Sequence, residues 1–502
     1  MNAFRQFRWR AIAIALVAAA TASAAAIRTP LSPEVERAAR TITQGDLSEH
    51  VRVLAADDMD GRGLETPGNR RAAEYVADAF RRAGVPAAIG DHRESPESAA
   101  YFQHFGLFDA ALSRATTLEL RDADGHELLR RTAGDEFYPA TISASRTVTA
   151  EATFQPREAP GRIVLLSIAS GFSRSGETRR TVTEWTLKGA VGVLIVSPSL
   201  EPLGDTWQMG TLDDDPSYQS AEIAAIPVAY VTEGLAEKLR PLVGRGRLTL
   251  AADIERRPVK TWNVVAAIAG VDPARRDELV VVGAHLDHDG VDPQRGVFNG
   301  ADDDASGVAA VLEVADAFAA AAAAGARPAR TLVFGIWNAE ESGLFGSRHF
   351  VAHPSPPGRP IANLNLDMVG RDEDVPDPSS PRFNGFTATK AKDNVNVLHL
   401  LGYTHSSDLT SVVRVANEAA RFDLRTSYDG GSHKLVRRSD HWSFLEQGIP
   451  ALFLTTGLHP DYHTPDDDAD KINFGKLARV ARMTFEAAWR LSNAPSPPRF
   501  IP

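Results

Sequence analysis

Four short apolar runs in the second half of the chain each end in polar or charged residues. They cover residues 278–284, 331–337, 362–366 and 449–455, with the sequences ELVVVGA, TLVFGIW, ANLNL and IPALFLT. Such runs, rich in β-branched residues, are typical of strands buried on both faces of a parallel sheet. Helices are predicted at 47–55, 67–83, 305–324, 409–422 and 471–491. The expected fold class is α/β, with a mixed, mostly parallel sheet flanked by helices.

The pattern changes between residues 135 and 257. Strands are predicted here at 161–168, 190–196 and 226–231, and helices at 181–188 and 233–242, without a pattern of candidate metal ligands. We therefore expect an inserted domain at 135–257. Residues 27–134 and 258–492 would form the two parts of the main domain, and residues 493–502 a proline-rich tail.

Metal-binding residue types follow each of the four predicted strands. In chain order they are His285, Asp287, Glu340, Glu341, Asp367 and His463. Three further carboxylates, residues 302–304, precede the alanine-rich helix. Because the carboxyl ends of parallel strands share one edge of a sheet, we expect these side chains to converge.

This set of side chains suits a pair of zinc ions. Zinc binds histidine nitrogen and carboxylate oxygen, and two ions about 3.5 to 4 Å apart need a bridging carboxylate and terminal ligands for each. One aspartate of residues 302–304 could bridge the ions. His285 and Asp367 could complete one site, and Glu341 with His463 the other.

Glu340 then remains free for proton transfer. In two-metal hydrolysis the attacking water loses a proton and the departing amine gains one, so a single carboxylate can act first as base and then as acid. Taken alone, each motif has a structural explanation, since carboxylates before a helix commonly cap it. Their coincidence at one predicted sheet edge favours a catalytic site.

Five sequence blocks carry a resemblance to a known family. The blocks are GAHLD at 283–287, NGADDDASG at 299–307, NAEESGLFGS at 338–347, NLDMVGR at 365–371 and YHTPDD at 462–467. In this order they resemble the zinc exopeptidases of clan MH that use two co-catalytic metals, a family that includes bacterial leucyl aminopeptidase and glutamate carboxypeptidase. Less specifically, residues 135–257 resemble a protease-associated domain.

The resemblance implies a role for each residue. His285 and Asp367 would bind one zinc, Glu341 and His463 the other, and Asp303 would bridge them. Glu340 would be the general base. The remaining implied site residues are Asp287, which would orient His285, and Asp440 in the block SDH at 439–441, which would line the site. Tyr462 is a candidate hydrogen-bond donor to the oxyanion of the reaction.

The function expected from these residues is that of an aminopeptidase acting on peptide or protein N-termini with two zinc ions per chain. A carboxypeptidase that releases glutamate is an alternative, with cations at 371, 434, 437 and 438 as candidates for binding a substrate carboxylate. Glutaminyl cyclase is less favoured. That branch resembles this chain but has a single metal, whereas here the ligand positions of both metals are intact. A non-catalytic binding ectodomain would typically have lost ligands that are present here.

Composition, net charge and the N-terminal sequence limit the possible partners of the protein and its possible location. The chain has 502 residues, 43% hydrophobic and 24% charged, which is a globular composition. A net charge of −11 argues against nucleic acid as a partner. Residues 1–26 combine three arginines, an apolar run and an A-x-A site, which predicts a signal peptide and a secreted or periplasmic protein. No later transmembrane segment is expected. The chain has no cysteine, so it can form no disulfide bond. The sequence does not indicate the oligomeric state.

Overall fold

The chain divides into two compact units. The computed structural model describes residues 28–89, 100–112, 115–134, 136–140, 143–167, 176–197, 206–209, 224–430 and 435–502. One unit combines the chain up to His104 with Trp262–Pro502, and the other is Phe105–Thr261. The predicted signal peptide, residues 1–26, lies outside the described residues.

The amino-terminal part of the first unit is helical. It contains α1 (Pro33–Ala39), α2 (Gln44–Leu54) and α3 (Pro67–Arg82), with a short 3-10 segment at Asp57–Arg62. Each α-helix is capped by a hydroxyl group, which accepts a hydrogen bond from a backbone N–H in the first turn. The strand β1 (Phe102–Leu112) then leads into the second unit.

The second unit is built on two sheets. Its elements are β2 (Thr117–Asp122), β3 (Glu127–Thr132), β4 (Phe137–Pro139), β5 (Arg146–Ala150), β6 (Ala152–Thr153), β7 (Ile163–Ser167), α4 (Gly176–Leu187), β8 (Gly192–Ser197), β9 (Thr206–Met209), β10 (Val228–Thr232), α5 (Glu233–Leu239) and β11 (Gly246–Ala252). One sheet has the strand order β4-β10-β8-β7-β6 and the other the order β3-β2-β11-β5.

The boundary of this unit differs from the predicted insertion at 135–257. The hairpin of β2 and β3 lies before residue 135, yet β2 pairs antiparallel with β11. The hairpin therefore belongs to the same sheet as the later strand, and the unit begins at Phe105. This pairing joins residues far apart in sequence, which periodicity alone does not reveal. The likeness of the unit to a protease-associated domain stays a prediction.

The chain returns to the first unit through β12 (Ile254–Ile268). The elements that follow are β13 (Glu278–His285), β14 (Val291–Asp292), β15 (Gly296–Val297), α6 (Gly307–Ala323), β16 (Thr331–Trp337), α7 (Phe345–Ala352), β17 (Arg359–Leu366), β18 (Val397–Leu401), α8 (Ser407–Ala420), β19 (Asp423–Arg425), α9 (His441–Glu446), β20 (Ala451–Thr455) and α10 (Phe474–Asn493).

These strands form the mixed, mostly parallel sheet that the sequence predicts. Seven neighbours run in the order β19-β18-β20-β17-β13-β16-β12. The pairs β13–β16, β13–β17, β17–β20 and β18–β19 are parallel. The pairs β12–β16 and β18–β20 are antiparallel. The α/β fold class is therefore confirmed, and the carboxyl ends of β13, β16, β17 and β20 lie at one edge.

One tryptophan fills the space above two glycines in neighbouring strands. Gly283 of β13 is in register with Gly335 of β16. A Cβ atom at Gly335 would lie 2.0 Å from the ring of Trp337, and one at Gly283 would lie 2.5 Å from its Nε1. The fully buried indole therefore needs both glycines. It precedes Asn338 and so helps to set the path of the loop at the sheet edge.

The alanine-rich helix α6 lies in the protein core. Among the described residues, only the segment Ala301–Ala323 is long and apolar enough to cross a membrane by length and composition, with a mean hydropathy of 1.5. The fold buries 78% of the 18-residue stretch of this segment that has that hydropathy. It packs with the helices α2 and α10 in the main hydrophobic core, so its apolar character is explained by the fold.

Candidate metal centre

Side chains from four strand ends and from the mouth of α6 meet at the sheet edge. His285 is the last residue of β13, and Asp367 follows β17 directly. Glu340 and Glu341 lie in the loop after β16, and His463 lies in the loop after β20. The structure therefore brings together the residues that the sequence predicts as ligands and base.

Asp303 lies between the two histidines. Its Oδ1 is 3.0 Å from His285 Nε2, and its Oδ2 is 3.2 Å from His463 Nε2. Although burial opposes ionisation, hydrogen bonds from the two histidines hold the pKa of Asp303 well below its usual range. One carboxylate thus presents an oxygen to each of two donor groups, as a bridging ligand must.

Each histidine has a further carboxylate nearby. Asp367 Oδ1 is 3.6 Å from His285 Nε2, and Glu341 Oε1 is 3.5 Å from His463 Nε2. The other oxygen of Asp367 accepts a hydrogen bond from Ser439 Oγ at 2.6 Å. That hydroxyl accepts one from Asn365 Nδ2, also at 2.6 Å. This chain of contacts fixes the Asp367 carboxylate beside His285.

The donor atoms suit zinc. Potential ligand atoms of His285, Asp303 and Asp367 all lie within 4.8 Å of one another, and the same holds for the trio Asp289, Glu341 and His463. Zinc accepts histidine nitrogen together with carboxylate oxygen. Crowding so many buried carboxylates without a cation would be costly. The residues present therefore fit zinc.

Glu340 is held beside this centre by its own backbone. The Asp287 carboxylate accepts hydrogen bonds from the backbone N–H groups of Glu340 and Glu341, at 3.0 and 3.2 Å. Burial, together with the charges of Glu341 and Asp440, raises the pKa of the Glu340 carboxyl well above its usual range. A raised pKa is suited to a group that takes up a proton and later gives it back.

Asp287 acts differently from the role that the resemblance implies. His285 Nδ1 lies 3.0 Å from the backbone carbonyl oxygen of Asp287. The side chain of Asp287 is directed to the Glu340 loop, and burial raises its pKa to about 6. Asp287 therefore orients His285 through its main chain and the loop of the predicted base through its side chain.

Arg62 secures the backbone around the centre. It is 1% exposed, and its guanidinium donates five hydrogen bonds to main-chain carbonyl groups. The acceptors, at 2.6 to 3.2 Å, are the carbonyl oxygens of Leu54, Leu286, Asn299, Gly300 and Asp303. Leu286 follows a predicted ligand and Asp303 is one, so the arginine joins two ligand-bearing segments. It has a structural role and does not face substrate.

Buried aspartates hold the same segment from the other side. Asp467 Oδ2 accepts hydrogen bonds from the backbone N–H groups of Asp302 and Asp303, at 2.9 and 3.1 Å. The Asp304 carboxylate accepts from the N–H groups of His285, Gly307 and Met368. Asp467 therefore holds the main chain at Asp303, and Asp304 ties the same segment to the backbone at His285 and Met368.

Backbone conformations with positive φ recur next to the predicted ligands. Ala339, Met368 and His463 have φ values of 61°, 54° and 53°. Each immediately precedes, follows or is a site residue. Such conformations cost about 1–3 kcal/mol for residues other than glycine and tend to occur at functional sites, where the surrounding structure enforces them.

A cavity beside the centre has a partly apolar wall. Its lining includes the predicted base and four of the five predicted ligands, all but His463. The other lining side chains include Met368, Leu435, Phe453, Leu458, Tyr462 and Arg438. Tyr462 contacts the His463 ring, with ring centroids 4.1 Å apart. Asp440 is fully buried, and burial raises its pKa to about 7.

The predicted cations differ in their surroundings. Arg371 is paired with Asp461 at 2.9 Å. Arg437 lies over the ring of Trp442. Arg438 lines the cavity, and Lys434 lies outside the described residues. Arg438 is thus the member of this set that the described structure places beside the centre.

Two contacts to the predicted ligands were not predicted from the sequence. Asp289 Oδ2 lies 2.9 Å from His463 Nδ1, and His288 Nδ1 lies 3.0 Å from Glu341 Oε1. The signal available was the run HLDHD at 285–289, which places three more side chains of metal-site type directly after the ligand His285.

Comparisons with known proteins find similar proteins that are named as peptidases. An aminopeptidase of Pseudomonas aeruginosa is 28% identical over 423 residues, which cover 80% of this chain and 68% of the relative. A probable zinc metalloprotease of Pyricularia oryzae is 30% identical over 264 residues, covering 47% of this chain and 51% of the relative. The solved aminopeptidase from Aneurinibacillus sp. strain AM-1 is similar in fold, with a TM-score of 0.56 and 21% identity over 93% of this chain and 97% of that chain.

The sequence profile of Peptidase family M28 matches residues 263–488. This segment contains every predicted zinc ligand and the predicted base. It also contains all five blocks on which the resemblance to clan MH zinc exopeptidases rests. The strand-end geometry and this match agree that residues 263–488 are similar to Peptidase family M28.

Proposed function

We propose that this chain is an aminopeptidase that binds two zinc ions and hydrolyses the N-terminal peptide bond of peptides or proteins. The observation that carries the proposal is the position of Asp303, with one carboxylate oxygen near each of two histidines. His285 and Asp367 would hold one zinc, and Glu341 and His463 the other. Relatives named aminopeptidase and zinc metalloprotease support the activity and the metal.

The chemistry divides between the metal and the protein. Bound zinc would polarise the scissile carbonyl group and lower the pKa of a water molecule. Glu340 would take the proton of the attacking water and pass it to the departing amine. Its raised pKa and its burial favour holding that proton between the two steps. Tyr462 lines the same cavity and is available as a donor to the developing oxyanion.

The cavity also indicates a preference among substrates. Its wall contains four buried apolar side chains, those of Met368, Leu435, Phe453 and Leu458. An apolar N-terminal side chain would lose water-exposed surface there at about 25 cal/mol per Å². The surrounding carboxylates would attract the free α-amino group. We therefore expect apolar N-terminal residues to be preferred.

A carboxypeptidase remains the second candidate because Arg438 lines the cavity. A guanidinium can bind a substrate carboxylate in a bidentate manner. Aminopeptidase action is favoured because Arg371 is paired with Asp461 and Arg437 lies on Trp442. Replacing Arg438 by Met should leave the hydrolysis of aminoacyl-p-nitroanilides within about threefold of the wild-type rate, since these substrates have no carboxylate.

The first test measures the metal content and the activity of one sample. The purified protein is assayed on aminoacyl-p-nitroanilides and on carboxypeptidase substrates, together with Glu340→Gln. We expect turnover of the aminoacyl substrates with two zinc ions bound, and a loss of at least about 10²-fold in kcat for Glu340→Gln with the metals retained. Glu446→Gln, a change in α9 outside the centre, is the control. Retained activity in Glu340→Gln would refute the assigned base.

We also propose that the protein is exported, since residues 1–26 have the signal-peptide pattern described above. Mass spectrometry of the protein purified from its native source tests this. A mature N-terminus after residue 24 or shortly beyond it supports export. An intact Met1 would contradict it.

A further inference from the structure

The loop that follows β13 contacts four different residues of the metal centre. The backbone of Asp287 accepts from His285, and its side chain accepts from the Glu340 loop. The next two residues, His288 and Asp289, are not among the ligands predicted from the sequence. Their side chains reach the two residues that would be terminal ligands of the second zinc.

His288 contacts Glu341. Its side chain is fully buried, and its Nδ1 lies 3.0 Å from Glu341 Oε1 and 3.9 Å from Asp303 Oδ2. Its ring also meets the ring of His463 edge to face, with centroids 5.3 Å apart. A neutral imidazole protonated on Nδ1 would donate to the Glu341 carboxylate and hold it in one orientation.

Asp289 contacts His463. Its Oδ2 lies 2.9 Å from Nδ1 of His463, whose Nε2 faces Asp303 and Glu341 at 3.2 and 3.5 Å. A carboxylate that accepts a hydrogen bond from Nδ1–H favours the tautomer protonated on Nδ1. In this tautomer Nε2 has a free electron pair, which zinc needs. Asp289 therefore selects both the tautomer and the ring orientation of His463.

The two zinc histidines are supported in different ways. His285 donates to a main-chain carbonyl, which no side-chain substitution removes. His463 depends on a carboxylate that is 33% exposed. The support of the second site can therefore be removed without changing the first.

We propose that His288 and Asp289 are positioning residues for the second zinc, and that they set the affinity of that site separately from the site of His285 and Asp367. The proposal rests on the two-zinc function proposed above. It assigns His288 to Glu341 and Asp289 to His463.

The test measures zinc affinity directly. Metal-free protein is titrated with Zn²⁺ in competition with a chromophoric chelator, and the absorption spectrum of the Co²⁺ form reports each site. We expect Asp289→Ala and His288→Leu to lower the affinity of one of the two sites about 10- to 100-fold, with the other site unchanged. Asp292→Asn is the matched control in the same loop, because its carboxylate accepts only from the N–H groups of Gln294 and Arg295 in the described structure.

Conservative variants separate positioning from direct ligation. In Asp289→Asn the amide oxygen can still accept a hydrogen bond from Nδ1–H of His463, and in His288→Asn the amide NH2 can still donate one to Glu341. Both variants should therefore recover most of the lost affinity. If Asp289→Asn binds zinc as weakly as Asp289→Ala, Asp289 is itself a ligand and the positioning role is overturned.

The two proposals fail in different ways. Absence of tight zinc binding in the wild-type protein would contradict the two-zinc function. Two unchanged affinities in Asp289→Ala and His288→Leu, beside two tight sites in the wild-type protein, would contradict the positioning role alone. Thermal unfolding of the metal-free variants shows that each one is folded before it is titrated.

Discussion

Arg62 is a buried structural residue that holds backbone segments around the metal centre. Its guanidinium joins the end of α2 to the segments that follow β13 and precede α6. Five carbonyl groups share this one side chain. Because these acceptors are buried, any replacement leaves several of them without a partner.

Replacing Arg62 by Met should therefore destabilise the metal-free protein by about 3–5 kcal/mol, and Arg62→Lys should do nearly the same because an ammonium lacks the planar fork. Chemical denaturation measures the loss. Arg276→Met is the control, since this exposed arginine lies 3.8 Å from Asp277 and should change stability by no more than about 0.5 kcal/mol. If all three variants are as stable as the wild-type protein, the hydrogen bonds of the Arg62 guanidinium contribute little to stability.

His441 gives the protein a pH-dependent stability. Its imidazole is fully buried, and burial lowers its pKa to about 3 from an ordinary value of 6.5. A depressed folded-state pKa contributes stability above pH 6.5, and this contribution is lost as the pH falls toward 3. His441→Leu removes the titrating group.

Between pH 7 and pH 5, the free energy of unfolding of His441→Leu should therefore rise by about 2 kcal/mol relative to the wild-type protein. Denaturation of the metal-free proteins at the two pH values measures this difference. His126→Gln, a change at an exposed histidine of the second unit, should shift stability by less than about 0.5 kcal/mol at either pH. A constant difference between His441→Leu and wild type would refute the assignment.

Residue types predicted much of the centre. Zinc ligands are drawn from His, Asp and Glu, so their positions after apolar runs can be read from the sequence. The contacts of Arg62, His288 and Asp289 could not be predicted in this way. An arginine in a glycine-rich bend and a His-Asp pair in a loop have many possible partners, and only the folded chain selects among them.

Among the elements, β16 couples packing to the site. Trp337 lies over Gly335 and Gly283 and directly precedes the loop of Glu340. Gly335→Ala would place a methyl group where the indole is, and the neighbouring side chains are fully buried. We expect a loss of about 1–3 kcal/mol in the free energy of unfolding.

Thermal unfolding measures this loss, with Gly234→Ala in α5 as the matched control. A Cβ atom at Gly234 meets no atom within 4 Å, and the residue lies in the first turn of a helix. Alanine there should be neutral or should stabilise by up to about 1 kcal/mol. A neutral Gly335→Ala would mean that the indole can move without cost.

The strands of the main sheet were predictable because burial on both faces leaves a nearly continuous apolar run. The run 331–337 coincides with β16. β17 begins at Arg359, before the predicted start at 362, because Arg359 pairs with Glu278 of β13. Pairing depends on the neighbouring strand, so the sequence of one strand does not fix where its ladder begins.

At the scale of the whole molecule, the metal centre belongs to one unit. The second unit has two hydrophobic clusters of its own, drawn from residues 118–250 and 138–230. The predicted zinc ligands all lie in the first unit. Zinc bound as proposed would therefore stabilise the folded form of the first unit by mass action, by about 2.7 kcal/mol for each proposed site when free zinc is 100 times its Kd.

Removing zinc with a chelator should therefore speed amide hydrogen exchange in β13, β16 and β17 of the first unit. The strands β7, β8 and β10 of the second unit should exchange at the same rate with and without metal. Exchange followed by mass spectrometry tests both expectations on one sample. Equal acceleration in both sets of strands would show that metal loss destabilises the chain as a whole.

The metal centre combines residues from early and late in the sequence, so it can form only after both parts have been synthesised. Arg62 and Asp467 hold the same segment around Asp303 from two sides, and about 400 residues separate them in synthesis. A nascent chain therefore carries both side chains only after residue 467 has been translated. The last predicted ligand is His463, so the full set of predicted zinc ligands exists only after synthesis has passed that residue. Chains that stop before it would carry the strands and most of the motifs without the second proposed zinc site.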